Sequence, residues 1–317
     1  MTDPSSFDPA GGQDPEAGPT ILERFGISPT LFAILSLVML FLFFQVVGGG
    51  ISLLLFGLVP GPEHVPALRV ANALGQILFL FIPTLLLVRL ATRTPRVMFR
   101  LRRPAALQVL LALLGILSLQ QVLQVYLEFQ SRIPLPAQLE KALEEYRALV
   151  EELLKGLVSA DTIPELLGVL LAIALVPAIV EEFLFRGLVQ SSLERDSTPL
   201  RGAIATGVIF GAFHLNPSSF VPLAVLGVFL GVLAYRSNSL WVPIAAHFMN
   251  NATACVAAYF HVDDAAVVTG DPKVMSPAML LGTLWLFGLV FLLTLAAFIR
   301  VTGPAGVTGP EEGPEEP

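Results

Sequence analysis

Long apolar runs alternate with short polar stretches along this chain, and the runs are too long and too unbroken to be strands that alternate in and out. Eight of them approach the length of about 20 residues that a helix needs to cross a hydrocarbon core. They run roughly from Thr30 to Leu58, Val70 to Val88, Ala105 to Leu127, Ile163 to Leu188, Gly202 to Leu215, Phe220 to Tyr235, Leu240 to Phe260 and Ser276 to Ile299; the fifth and sixth are short. In lipid every backbone donor and acceptor has to be satisfied within the structure, which leaves helices for runs of this kind. The pattern predicts an all-α integral membrane protein, a bundle of about eight transmembrane helices with disordered polar termini.

The polar stretches divide the chain. Residues 1–28 read as a disordered tail rich in Pro and Gly, without the basic start of a secretory signal. Residues 29–135 hold the N-terminal spans and a basic loop, and 136–161 a polar connecting segment. The four spans of 162–262 follow, then a loop and the last span at 263–300, and an acidic disordered tail at 301–317. In the connecting segment Leu139, Leu143, Tyr146, Val150, Leu153 and Leu154 recur at helical spacing among Glu and Lys, which predicts an amphipathic helix on the membrane surface. With eight spans, eleven arginines fall on the side of the termini and six basic residues on the other. By the positive-inside tendency both termini are expected in the cytoplasm, as in a multi-pass protein of a bacterial-type plasma membrane.

Composition sharpens this only by exclusion. With 55% hydrophobic and 14% charged residues and a net charge of −7, the chain is neither disordered throughout nor a nucleic-acid binder. Its expected surroundings are the lipid bilayer, with no nucleic acid as a partner. The single cysteine, Cys255, cannot build a disulfide scaffold and reads as packing.

An ionisable side chain at mid-span costs about 2.5–3.5 kcal/mol on translocon scales, so the few present need a reason. Glu181, Glu182 and Arg186 lie in the fourth span, His214 in the fifth, and His247 with Asn250 and Asn251 in the seventh. Residues four apart share a helix face, so Glu182 can pair with Arg186, His247 sides with Asn251, and Phe210 lies beside His214. Glu181 faces away from Glu182. One carboxylate and two imidazoles in a water-poor cavity suit two chemistries. Glu181 can take a proton from water while the histidines and Asn251 steady an oxyanion. Alternatively Glu181, His214 and His247 can ligate zinc, with a fourth position for water. Residue types alone leave both open.

The residues Glu181-Glu182-Phe183-Leu184-Phe185-Arg186 fit the pattern EExxxR, Phe210-Gly211-Ala212-Phe213-His214 fits FxxxH, and His247-Phe248-Met249-Asn250-Asn251 fits HxxxN. In this order and on membrane helices, the region from about Glu165 to Phe260 resembles the CPBP (CAAX protease and bacteriocin-processing, Abi) intramembrane proteases, similar to the Ras-converting CAAX prenyl endopeptidases. The resemblance implies a hydrolase acting on a membrane-tethered or hydrophobic peptide or protein substrate, in which Glu181 is the general base, His214 orients the water, and His247 and Asn251 bind the oxyanion. It further implies supporting roles for Glu182, Arg186 and Phe210, and a metalloprotease label that brings zinc in as an option.

Other protease signatures are absent: there is no HExxH, no GxSG-like serine and no GxGD aspartate pair in a span. Two other classes use the same residues, a proton-coupled secondary transporter and a non-catalytic scaffold or immunity protein. The spacing of Gly207 with Gly211, and of Gly227 with Gly231, predicts close helix approach. Pro177 frees the carbonyl of Ile173 and predicts a kink just before Glu181.

Overall fold

The computed structural model describes residues 19–57, 61–261 and 276–303. Most of the two predicted tails and the loop before the last span fall outside the described residues. Among the described residues the chain is all-α and has no strand. Its helices are α1 (Ile21–Phe25), α2 (Pro29–Phe56), α3 (Pro62–Ala91), α4 (Pro95–Met98), α5 (Ala106–Ser131), α6 (Ala137–Val158), α7 (Ile163–Leu193), α8 (Pro199–Phe213), α9 (Phe220–Ser237), α10 (Trp241–Tyr259) and α11 (Pro277–Thr302). Within the stretch expected to be a tail, α1 is a short turn closed by a reciprocal cap between Thr20 and Glu23.

The starts of the long helices are written in the sequence. Ser28, Thr162, Thr198 and Ser276 each accept a hydrogen bond from the backbone N–H three residues on, and each is followed within two residues by a proline. The hydroxyl satisfies one orphan donor, and the proline occupies a first-turn position whose N–H would have no partner.

All eight predicted spans are helical, but among the described residues only six helices are long and apolar enough to cross a membrane: α2, α3, α5, α7, α9 and α11. The protein is an integral membrane protein. The remaining two are α8, with 15 residues, and α10, with 19, in which His247, Asn250 and Asn251 dilute the apolar run. Helix α10 carries His247 and Asn251, and His214 directly follows α8, so the count of eight rests on one short apolar helix and one whose apolar run is interrupted by predicted site residues.

The second span starts at Pro62, earlier than the predicted Val70, and this moves Arg69 from a loop into a helix. Arg69 is buried and donates to the carbonyls of Gly156, Leu157 and Ser159 and to the Glu165 carboxylate. It thereby satisfies the terminal carbonyls of α6 and ties that helix to the start of α7. The amphipathic α6 covers the segment expected for it, with Leu139 and Leu154 still exposed.

The core gathers around α7, where Leu184, Phe185 and Leu188 are fully buried. Two stretches of α7, Leu170–Leu175 and Phe183–Gln190, are wound with π-type i→i+5 turns. The first ends two residues before Pro177 and contains Ile173, whose carbonyl the proline's missing N–H leaves free, and the two stretches flank Glu181 and Glu182. Helices α8 and α9 form the most extensive helix pair. Their glycines allow it, since a Cβ on Gly227 would lie 2.8 Å from Gly207 Cα and one on Gly211 2.8 Å from the Phe220 carbonyl.

Candidate active site

Glu181 and Glu182 occupy adjacent positions on α7, and their environments differ. Glu182 is completely buried, whereas the Glu181 side chain keeps 15% of its surface exposed. Glu182 Oε1 accepts from Arg186 Nη1 at 2.7 Å and from His247 Nδ1 at 2.8 Å. Arg186, also fully buried, donates its other terminal nitrogen to the Gly227 carbonyl at 2.8 Å and lies 4.9 Å from the centroid of Phe210. The close approach of α8 and α9 brings Phe210 and the Gly227 carbonyl to the same guanidinium.

His214 follows the last turn of α8. Its Nδ1 is 2.8 Å from the Phe210 carbonyl, an atom that can only accept, so Nδ1 carries the proton and Nε2 is left to face outward. Leu215, the next residue, has a left-handed backbone with φ of 51°. That conformation is costly for leucine and is held by surrounding bonds. Tyr146 of α6 donates to the Leu215 carbonyl at 2.8 Å, and Arg147 and Gln130 both donate to Ser218. Helix α6 thus touches the loop that leaves His214.

The same logic sets the second imidazole. His247 Nδ1 donates to the Glu182 carboxylate, which turns Nε2 toward Glu181. Phe210 packs between the two rings, with centroids 4.7 Å from His214 and 5.8 Å from His247. Glu181 Oε2 lies 3.9 Å from His214 Nε2 and 3.9 Å from His247 Nε2. Three helices therefore bring one carboxylate oxygen and two imidazole nitrogens together, and that oxygen is buried with no hydrogen-bond partner among the described residues.

A single water held at about 2.8 Å from an oxygen and a nitrogen bridges a gap of this size. Two ligands of one tetrahedral zinc, at about 2.0–2.2 Å each, lie only about 3.4 Å apart. Among the described residues no group of three or more His, Cys, Asp or Glu side chains is placed to hold a metal ion. As placed, Glu181, His214 and His247 do not fit a tetrahedral zinc.

Asn251 lies one turn after His247 on the same face of α10, and its Oδ1 accepts from Asn250 Nδ2 at 3.1 Å. Behind it stands Gln120 of α5, whose Nε2 contacts the Asn250 backbone carbonyl, Asn250 Oδ1 and Thr253 Oγ1. Sequence reasoning passed over Gln120, one of two adjacent glutamines in a mostly apolar run that also holds Gln108, Ser118 and Gln124. It also missed that the face of Glu182 and Arg186 continues, at steps of four, to Gln190 and Glu194. Gln190 donates to the Gly231 carbonyl at 3.0 Å and to Glu194 at 2.8 Å, and Glu194 pairs with Arg100.

With this geometry in place, residues 163–253 match the family described as type II CAAX prenyl endopeptidase Rce1-like. This segment is Rce1-like. The chain is also 30% identical over 78 residues to "Putative membrane peptidase YdiL" of Bacillus subtilis (strain 168), which covers 25% of the chain and 32% of that protein. It is 30% identical over 113 residues to "Uncharacterized protein YpbD" of the same organism, covering 34% of the chain and 53% of that protein. The chain thus spans about a third and about half the length of these two curated relatives. No solved structure matches it. The matched segment contains Glu181, Glu182, Arg186, Phe210, His214, His247 and Asn251, and excludes Gln120 and Tyr146.

Proposed function

We propose that the protein is an intramembrane endopeptidase that hydrolyses a peptide bond near the C-terminus of a membrane-associated protein or peptide, with a CAAX-type substrate as one candidate. The observation that carries this reading is the meeting of Glu181 Oε2 with two imidazole Nε2 atoms at 3.9 Å each, in the Rce1-like segment.

In this mechanism a water sits between Glu181 and the histidines. Glu181 takes its proton while the oxygen attacks the substrate carbonyl carbon, and His214 Nε2 orients the water. The carbonyl oxygen becomes the oxyanion of a tetrahedral intermediate, stabilised by the amide of Asn251, and by His247 when its Nε2 carries a proton in addition to the Nδ1 proton held by Glu182. Glu181 then passes its proton to the departing amine nitrogen, the C–N bond breaks, and the carboxylate is regenerated. Every proton is accounted for by the water and Glu181, and no step passes through a metal. The excess of basic residues on the side of the termini supports a cytoplasmic placement for them, and a cytoplasm-facing mouth would then admit a lipid-anchored chain end.

The test is turnover of a panel of lipidated and hydrophobic peptides by the purified protein in liposomes. Wild type is expected to cleave at least one member, and Glu181→Ala and His214→Ala are expected to cleave none while unfolding at the wild-type midpoint. Proton-coupled uptake into the same vesicles, abolished by Glu181→Gln without any cleavage by wild type, would replace the protease with a transporter.

A further inference from the structure

We propose that Gln120 of α5, acting through Asn250, is a positioning residue that dictates which end of the Asn251 amide faces the site. The inference rests on the reading of Asn251 as an oxyanion donor, and it concerns a residue outside the Rce1-like segment. An asparagine beside an oxyanion helps only when its NH2 end points there; with the amide turned over, its oxygen would repel the developing charge. A lone side-chain amide has no strong reason to prefer one orientation.

The polarity follows from one atom that can only accept. Gln120 Nε2 lies 3.1 Å from the backbone carbonyl oxygen of Asn250, and 2.8 Å from Thr253 Oγ1. Thr253 spends its own hydrogen on that same carbonyl, at 2.8 Å, so its oxygen is also an acceptor toward Gln120. The group of Gln120 that meets these two oxygens must therefore be the nitrogen. That nitrogen also lies 3.1 Å from the Asn250 side chain, which must present its oxygen there, and so turns its NH2 away. The Asn250 NH2 in turn donates at 3.1 Å to Asn251, which must present Oδ1 to it. What remains of the Asn251 amide is the donor end. Three amides in series thus transmit a fixed direction from a backbone carbonyl of α10, read by α5, to the side of α10 that carries His247. No alternative assignment of oxygen and nitrogen in the series avoids facing like against like.

The proposal separates two substitutions that a merely structural role would rank the other way. Asn250→Asp is nearly isosteric, but its carboxylate only accepts, so it draws the Asn251 NH2 toward itself and turns Oδ1 to the site. Asn250→Ala removes more atoms yet leaves Asn251 free to adopt either orientation. In the liposome assay Asn250→Asp is expected to lower kcat about 10²–10³-fold, the loss typical of one oxyanion donor, with KM little changed. Asn250→Ala and Gln120→Met are each expected to lower kcat by only about tenfold, since the correct orientation remains populated. In an Asn251→Ala background neither Asn250→Asp nor Gln120→Met should reduce kcat further.

A second readout needs no turnover. In protein labelled with nitrogen-15 asparagine, the Asn251 side-chain NH2 of wild type should exchange its protons with solvent at least tenfold faster than that of Asn250, and Asn250→Asp should slow Asn251 exchange by a similar factor. An Asn250→Asp variant as active as Asn250→Ala, or an Asn251 amide already protected in wild type, overturns the proposal. The expected exchange pattern in a wild type that cleaves no peptide leaves the amide series standing and removes the protease reading alone.

Discussion

Glu182 offers the sharpest test of how the site is held together. Its Oε1 receives both Arg186 and His247, and all three side chains are essentially sealed from solvent. Glu182→Ala leaves the Arg186 guanidinium buried without its counter-charge. Removing one member of a buried ion pair costs about 3–5 kcal/mol. Here the lower end applies, because the Gly227 carbonyl at 2.8 Å and the Phe210 ring at 4.9 Å remain to hold the cation. Glu182→Gln keeps an oxygen where both donors aim but loses the charge. Two bonds then fall from about 1.5–3 kcal/mol each toward about 1 kcal/mol, a loss near 2 kcal/mol in total. SDS titration in mixed micelles, followed by the fluorescence of Trp241 and Trp285, should rank the midpoints wild type, then Gln, then Ala. Turnover should follow the same order for another reason. With alanine nothing fixes the proton on His247 Nδ1, so Nε2 is no longer kept available toward Glu181, and kcat should fall about 10²-fold or more, against about tenfold for glutamine. Alanine and glutamine variants with equal midpoints, or an alanine variant as stable as wild type, would refute the idea that this carboxylate holds the buried cation and the imidazole together.

Glu181 predicts the opposite separation: since its Oε2 has no hydrogen-bond partner among the described residues, Glu181→Gln should unfold at or above the wild-type SDS midpoint while losing about 10²–10⁴-fold in turnover. Gly227→Ala would set a Cβ 2.8 Å from Gly207 Cα and should destabilise the protein by about 1–3 kcal/mol in the same titration, by forcing α8 and α9 apart. Because the imidazole and carboxylate spacing suits a water better than a zinc ion, incubation with a strong chelator should leave turnover within about twofold, and a loss restored by added zinc would contradict this geometry.

Periodicity and caps made the fold readable because lipid allows few alternatives: each long apolar run had to be a helix, and Ser or Thr before proline marked where four of them begin. The span count was harder to read. Helix α10 carries polar residues for the site, and α8 is short, so neither satisfies the criterion that identified the other six. Arg69 was misplaced for a related reason. A charge near a span end reads as loop, but this one is buried because Gly156, Leu157, Ser159 and Glu165 converge on it from the far side of a connection nearly ninety residues away. Within the site, helix spacing placed Arg186 beside Glu182 and Asn251 beside His247. It could not show that Glu182 also serves His247, or that Gln120 reaches Asn250, because such contacts between helices depend on how they cross.

The two consecutive carboxylates then acquire separate duties from one turn of geometry. Neighbouring residues on a helix diverge by about 100°, so side by side in sequence they face different surroundings. Glu182 turns into the packed interior, where Arg186 neutralises it and it fixes the proton on His247 Nδ1. Glu181 turns toward the imidazoles. His214 reaches the same state by a different route, its Nδ1 bound to the carbonyl of Phe210 one turn earlier. Both rings are thereby left with Nε2 toward Glu181 Oε2, a buried oxygen with no hydrogen-bond partner among the described residues. Under the proposed mechanism the inner carboxylate has to be buried and the outer one partly exposed; exchanging the two environments would leave His247 unpinned and provide no base. The reversal Glu182→Asp, which withdraws the inner oxygen by about one methylene, should therefore cost more turnover than its effect on the unfolding midpoint suggests, because the ring it positions would move with it.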